Sequence, residues 1–427
     1  MNPPSTTERP TVAVIGAGVS GLTAAHILSK KYTVTLYEAE PRLGGHAHTH
    51  EVADPSGAML AVDTGFIVHN DRTYPLLRRL FDELGVQTRP TEMSMSIRDE
   101  SSGLEFAGGR GVKGIFAQRR RAADPRFLTM LIRVKQFQVR ANTFLSETDD
   151  SDQTTYGEFL RTNGFSDSFT RLYAVPLVSC VWSMGTDAAL DYPARYLFRF
   201  LAHHGMLTVT GSPQWYTVVG GSRTYVDAIA RRLPQVRSGR AVANVVRNDT
   251  GVSVQDTSGA RLDYDATVIA THADQALALL ADADPDEKEV LGAFRYSQSA
   301  TVLHTDSRLL PTARHARASW NYLTPARPAG DQAPVVTYWM NRLQGIDSST
   351  EYLVTLNGGD RIDPKSVLAE MAYTHPIYDL AAIEAQARLA TLSTHRTAFA
   401  GAYHGWGFHE DGCRSGVEAA RALGVSW

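Results

Sequence analysis

The sequence predicts an α/β fold in which a parallel sheet, assembled from separated stretches of chain, carries an inserted α+β domain. Three observations predict it. A strand, glycine turn, helix and second strand follow one another between Thr11 and Tyr37. Short β-branched runs return far downstream, at Ala241 to Val246, Gly251 to Gln255, Thr267 to Ala270 and Arg396 to Gly401. Between these returns lie a block of helical pattern from about Gly108 to Gly211 and an aromatic, β-branched block from about Tyr296 to Tyr352.

Composition sets the bounds. With 427 residues, 43% of them hydrophobic, and a net charge of -3, the chain is an ordinary globular protein of more than one domain. A near-neutral balance argues against nucleic acid as a partner. Cys180 and Cys413 are too few and too far apart for a disulfide framework or a CxxC site, so a reducing cytoplasm is the expected compartment. Val12 to Val19 is too short to span a bilayer and Met1 to Pro10 lacks a basic leader, so no signal peptide or transmembrane helix is expected; rich in Pro, Ser and Thr, residues 1–10 are expected to form a disordered tail.

In order along the chain, Thr11 to Ile15 reads as a buried strand, Ser20 to Lys30 as a helix, and Tyr32 to Tyr37 as a second strand, a right-handed βαβ unit. The first domain is expected over 11–107, 212–290 and 391–427. The second is expected over 108–211 and 291–390. Its helical part shows Phe127, Met130, Leu131, Val134, Phe137, Ala141 and Phe144 at helical spacing. Its sheet contains Ser319 to Tyr322 and Val335 to Trp339.

The turn Gly16-Ala17-Gly18-Val19-Ser20-Gly21 is a G-x-G-x-x-G between strand and helix. The first glycine permits the tight turn, the second admits a pyrophosphate to the backbone, and the third lets helix and strand pack closely. Val19 and Ser20 then open a helix whose positive N-terminus faces the phosphates. Glu38 ends the second strand, where its carboxylate can accept hydrogen bonds from a ribose diol. Together these point to an adenine dinucleotide on a Rossmann-type domain.

The continuation Glu38-Ala39-Glu40-Pro41-Arg42-Leu43-Gly44-Gly45 resembles the flavin-containing amine oxidase superfamily, which has a second glycine turn after the ribose-binding acid. The resemblance implies non-covalent FAD, with Arg42 near the pyrophosphate and Gly44, Gly45 and the following residue, here His46, beside the flavin. Phe399-Ala400-Gly401 and the segment Trp406 to Cys413 are similar to the superfamily's last flavin motif. They imply that Asp411 and the backbone N–H groups of Gly412 and Cys413 face the flavin. Val242 matches a strand that contacts adenine. The runs Val62 to Pro75, containing Thr64 and Gly65, and Gly407 to Gly412 more closely resemble bacterial NAD/FAD-binding proteins. Genes for that family often accompany cyclopropane-fatty-acyl synthase-like methyltransferases, which implies lipid acyl substrates.

The pattern also departs from that superfamily. The strand matched to its flavin-facing lysine, Ser299 to Leu303, has no lysine, and the chain has only six. An efficient amine oxidase is therefore not expected. His409 stands where relatives place a cage tyrosine, so it is the first catalytic candidate, an imidazole poised to exchange a proton while hydride moves. His46 and His69 follow it. Cys413 is expected to pack as a small buried residue, and no metal site is expected. Trp320, Tyr322, Tyr338, Trp339, Arg342 and Trp406 are the candidate substrate-binding residues.

Arg110 to Arg140 carries nine basic residues against one acid, Asp124. Interleaved with Ile115 and Phe116, this segment is a candidate for peripheral contact with an anionic membrane. A solvated face paired with acids elsewhere is the plainer alternative. The expected activity is an FAD-dependent oxidoreductase that dehydrogenates or reduces carbon in a hydrophobic, lipid-like substrate. A flavin-dependent double-bond isomerase is the alternative within the fold, and an escort or GDI-like lipid carrier without redox work is the alternative outside it.

Overall fold

A computed structural model of the chain describes residues 9–182, 185–208, 211–326 and 335–427. The expected tail up to Glu8 lies outside them. A five-stranded parallel sheet forms the centre of the first domain, in the order Gln235–Arg237, Thr33–Tyr37, Thr11–Ile15, Ala266–Ile269 and Thr397–Phe399. Its middle strand is buried on both faces, which is why Val12 to Ile15 is continuously apolar.

One face of this sheet carries the helix Val19–Leu28 and the C-terminal helix His409–Ala422. These two pack at close range because small residues line the contact. A Cβ on Gly416 would stand 2.4 Å from the Ser20 carbonyl oxygen, and one on Gly412 would stand 2.6 Å from Val19 Cγ1. The other face is covered by the antiparallel strands Val242–Arg247, Val252–Asp256 and Arg261–Tyr264 and by helices that include Leu380–Leu392.

The second domain is a seven-stranded mixed sheet under a helical layer. The strand order is Val367–Ile377, Arg295–His304, Leu353–Leu356, Val335–Trp339, Trp320–Thr324, Met95–Asp99 and Leu104–Gly108. The expected helical repeat is the helix Pro125–Glu147, which buries Phe127, Met130, Phe137 and Ala141.

Two of the four inner domain boundaries move. Met95–Asp99 and Leu104–Gly108, assigned from sequence to the first domain, extend the second domain's sheet, because Met95–Asp99 pairs in parallel with Trp320–Thr324. Leu380–Leu392 returns to the first domain before residue 391, since Ala382, Ala385, Leu389 and Leu392 pack with Ala13, Ile15 and Phe399. Among the described residues no helix is long and apolar enough to cross a membrane.

Candidate active site

The glycine loop is shaped by three different constraints. Gly16 has φ +100°, and a Cβ there would stand 2.6 Å from the Ala270 carbonyl oxygen. At Gly21 a Cβ would collide with the Gly16 carbonyl oxygen at 1.9 Å. Gly18, the residue that opens the helix, is the opposite case: an added Cβ would meet nothing within 4 Å. Only Gly18 therefore leaves a cradle above the helix N-terminus, where Val19, Ser20 and Gly21 have N–H groups without intrahelical acceptors. Glu38 stands beside it, its carboxylate accepting from the Ala17 N–H at 2.8 Å and the Glu40 N–H at 3.0 Å. Val242 lies just past Arg240, whose N–H bonds the Glu38 carbonyl at 2.8 Å.

The second glycine turn abuts the first. A Cβ on Gly45 would lie 3.3 Å from Gly18 Cα, and the Gly44 N–H donates to the Ala17 carbonyl at 2.8 Å. Arg42 bonds groups of the turn itself. Its guanidinium is spent on the turn, donating to the carbonyls of Leu43 at 3.2 Å and Gly45 at 2.9 Å and pairing with Glu40 at 3.2 Å. Ala39 lies between Glu38 and Glu40 in the bend after strand Thr33–Tyr37. Thr64 and Gly65 run alongside: a Cβ on Gly65 would hit the His46 carbonyl at 2.2 Å, and Thr64 Oγ1 lies 2.7 Å from the Tyr373 hydroxyl.

At the far end of the chain the helix N-terminus is built differently from the expectation. The helix starts at His409, and the Gly412 N–H already donates to the Phe408 carbonyl at 3.0 Å. The free donors of its first turn are thus those of His409, Glu410 and Asp411, not of Gly412 and Cys413. Gly412 packs on Val19 and Ser20. The buried Cys413 thiol takes a 3.6 Å contact from the Thr23 hydroxyl, and burial pushes its pKa far up, so it is inert. The Asp411 carboxylate clamps the preceding loop, accepting from the N–H groups of Trp406 at 3.1 Å and Phe408 at 3.0 Å. Burial raises it to about 6.

The three catalytic candidates separate. The His409 ring stacks on Phe66, with centroids 3.8 Å apart, and its Nε2 lies 3.4 Å from the Tyr225 hydroxyl. Burial lowers its pKa to about 3, so the near-neutral titration expected from its ordinary value does not arise there. His69, 1% exposed, is boxed by Phe66, Tyr74, Phe81 and Tyr216 and lowered to about 4 by burial. His46 remains beside the second glycine turn, and sequence reasoning missed its partner there. His375 lies 5.2 Å from His46 between ring centroids; His46 Nε2 and His375 Nδ1 are both buried without a hydrogen-bond partner. Burial holds both below the usual imidazole range, His375 at about 4. Orphaned nitrogens at the glycine cradle are what a polar planar ligand would satisfy, so the residues present fit FAD.

An aromatic wall includes Tyr378, three residues past His375 along the chain. Trp182, Tyr192, Tyr196 and Phe200 of the helical layer face the loop Gly405 to Phe408 and Tyr378. Tyr192 Oη, Tyr378 Oη and Trp406 Nε1 are buried and unpartnered. Trp406 stands in this wall, its carbonyl accepting from Trp182 Nε1 at 3.1 Å. The candidate substrate strands divide. Trp320 pairs with Tyr338, rings 5.5 Å apart, and Tyr322 packs under the helical layer. Trp339 is turned to the opposite face, because neighbouring strand residues alternate, and bonds Glu351. Arg342 pairs with Glu92 and stacks on Trp339. Trp339 and Arg342 thus form a charged rim away from the aromatic wall.

The profile of the family described as flavin containing amine oxidoreductase matches residues 19–347. Among curated relatives, (S)-6-hydroxynicotine oxidase of Paenarthrobacter nicotinovorans is 25% identical over 261 residues, 60% of this chain and 59% of that one. The chain covers less than two thirds of the length of each curated relative it matches. Among solved structures, cyclohexylamine oxidase from Brevibacterium oxydans IH-35A superposes with a TM-score of 0.71 at 18% identity, covering 97% of this chain and 98% of that one. A CLA-producing fatty acid isomerase from P. acnes gives 0.66 at 17% identity, covering 96% and 98%.

Proposed function

The chain belongs to the flavin-containing amine oxidoreductase family and is an FAD-binding oxidoreductase, and from that premise we propose that it exchanges hydride at a carbon atom of a hydrophobic substrate. A lipid acyl chain is the class we favour. The observation that carries this reading is the character of the wall formed by Trp182, Tyr192, Tyr196, Phe200, Tyr378 and Trp406. It is aromatic, and its unpartnered polar atoms, Tyr192 Oη, Tyr378 Oη and Trp406 Nε1, are neutral. An ammonium group finds no counter-ion among them, whereas an apolar chain with one neutral acceptor is matched. No lysine stands on Arg295–His304 or Val367–Ile377, the paired strands that include the position matched to the superfamily's lysine.

FAD bound along the Gly18 cradle supplies the hydride acceptor or donor. His46 and His375, kept neutral by burial, then take the proton that leaves a neighbouring atom when a C–H bond gives up hydride. His409 holds Phe66 and Tyr225 in place and acts as a positioning residue. A redox-neutral double-bond shift is the second reading, because it uses the same hydride exchange and a fatty acid isomerase shares this fold. Lipid carriage without redox work is disfavoured by the intact cradle at Gly18.

Anaerobic mixing tests the proposal. Long-chain acyl substrates should bleach the flavin absorbance, and primary amines should not; bleaching by amines alone would sink it. A lipid converted to a positional isomer without lasting bleaching selects the second reading. His375→Gln should keep the flavin spectrum and slow the chemical step ~10²- to 10⁴-fold, with a changed pH profile. An equally fast variant with the wild-type profile would return His375 to a packing role.

A further inference from the structure

The outer surface of the helical layer carries exposed apolar side chains that neither the glycine cradle nor the aromatic wall uses. Val112, Leu128, Ile132 and Val139 are exposed by 73%, 37%, 61% and 53%, and they are four of the nine large hydrophobic side chains exposed among the described residues. Leu128, Ile132 and Val139 recur with Lys135 at spacings of four, three and four, so they form one stripe along Pro125–Glu147, opposite the buried Phe127, Met130 and Phe137. Phe116 packs on Phe127, 6.0 Å between centroids, and ties the preceding short helix Gly111–Ile115 to the same layer.

The charges around this stripe are unneutralised. Of the nine basic residues between Arg110 and Arg140, Arg110 pairs with Glu92 at 3.7 Å and Arg121 with Asp124 at 2.8 Å. Lys113, Arg119, Arg120, Arg126, Arg133, Lys135 and Arg140 are exposed and have no ion pair among the described residues. The plainer reading from sequence, a face paired with acids elsewhere, therefore fails for seven of nine. The nearest acids along the helix, Glu147 and then Asp149 and Asp150, sit at its far end and bound the patch.

We propose that this face docks on an anionic phospholipid surface, its apolar stripe entering the headgroup boundary and its seven cations meeting the phosphates. Charge complementarity and the exposed stripe both select that occupant: cations alone suit any polyanion, but Ile132 and Val139 gain only from an apolar phase. The inference is independent of the substrate reading, since none of these residues touches the aromatic wall or the glycine cradle.

Vesicle co-sedimentation of the flavin-loaded protein tests it. Vesicles containing phosphatidylglycerol should pull the protein down at low salt and release it as salt rises, while pure phosphatidylcholine vesicles should not. The Arg119→Glu, Arg120→Glu double variant should weaken binding about 30-fold, at the usual contribution of a surface cation. Ile132→Ser with Val139→Ser should weaken it about tenfold with every charge retained. All four positions are exposed, so folding is spared. No sedimentation at low salt, equal binding to neutral vesicles, or binding indifferent to both variants overturns the proposal. So does a concentration-dependent dimer abolished by Ile132→Ser, which would assign the stripe to a second copy of the chain.

Discussion

Gly18 and Gly21 are three residues apart, yet a methyl group added to each has opposite consequences. At Gly18 the new Cβ meets nothing within 4 Å and the backbone is in an ordinary extended region, so Gly18→Val should leave the apoprotein's melting temperature unchanged while removing FAD binding. At Gly21 the new Cβ would lie 1.9 Å from a carbonyl oxygen, so Gly21→Ala should unfold the loop itself and cost about 2 kcal/mol or more. Flavin absorbance after desalting and thermal melts of the apoproteins separate the two. A Gly18→Val protein that stays yellow would disprove the cradle. The spacing of these glycines was legible in the sequence because Gly16 and Gly21 answer to local backbone demands and Gly18 to the open space above the helix N-terminus. His375 was not, since a lone histidine in a strand announces nothing until His46 is packed against it.

Glu410 shows what happens one level up. It begins the C-terminal helix, as its position suggests, but its carboxylate serves another: it accepts from the N–H groups of Leu76 at 3.0 Å and Leu77 at 2.9 Å, capping the helix Pro75–Leu84. That N-terminus has no side-chain cap of its own. Glu410→Gln should cost about 1–2 kcal/mol at pH 5, the usual worth of a cap. Burial raises the carboxyl to about 7, so ionisation is harder in the folded state than in the unfolded chain. The stability that the protonated form contributes is lost as pH rises toward 7 and beyond, and the penalty of the substitution should shrink by pH 8. Denaturant titrations at the two pH values check both sign and trend. Asp63 is a similar hub, fully buried and bonded to Thr49, Ser222 and Gln344 from three separate elements.

Among the described residues, imidazoles lowered by burial outnumber carboxylates raised by it. Burial lowers His48, His69, His204, His304, His375 and His404 to about 4 and His409 to about 3. Each is protonated more readily in the unfolded chain, so each contributes stability present above pH ~6.5 and lost as pH falls toward 4. Asp63 and Asp411, raised to about 6, and Glu410, raised to about 7, act in the opposite sense over an overlapping range. Seven groups against three leave a net loss on acidification. The melting temperature should fall from pH 6.5 to pH 4, and His69→Phe with His375→Gln should flatten that fall. A stability maximum near pH 4 would contradict it.

The parallel sheet, the glycine loop with Glu38, the second glycine turn and the apolar face of Pro125–Glu147 were all determined by the sequence alone. Each rests on a period or a φ requirement satisfied within a few residues. Tertiary structure decided the rest. Which histidines meet, which helix Glu410 caps, which sheet claims Met95–Asp99 and whether the arginines find acids all depend on elements that lie far apart in the chain. Trp339 is the smallest example: its strand was legible, but the face it would share with Tyr338 was misassigned, because pairing with Trp320 takes Tyr338 inward and turns its neighbour out. Local geometry repeats along a chain and can be read from it. Packing partners are chosen by the shape and burial of the whole, and no spacing encodes them.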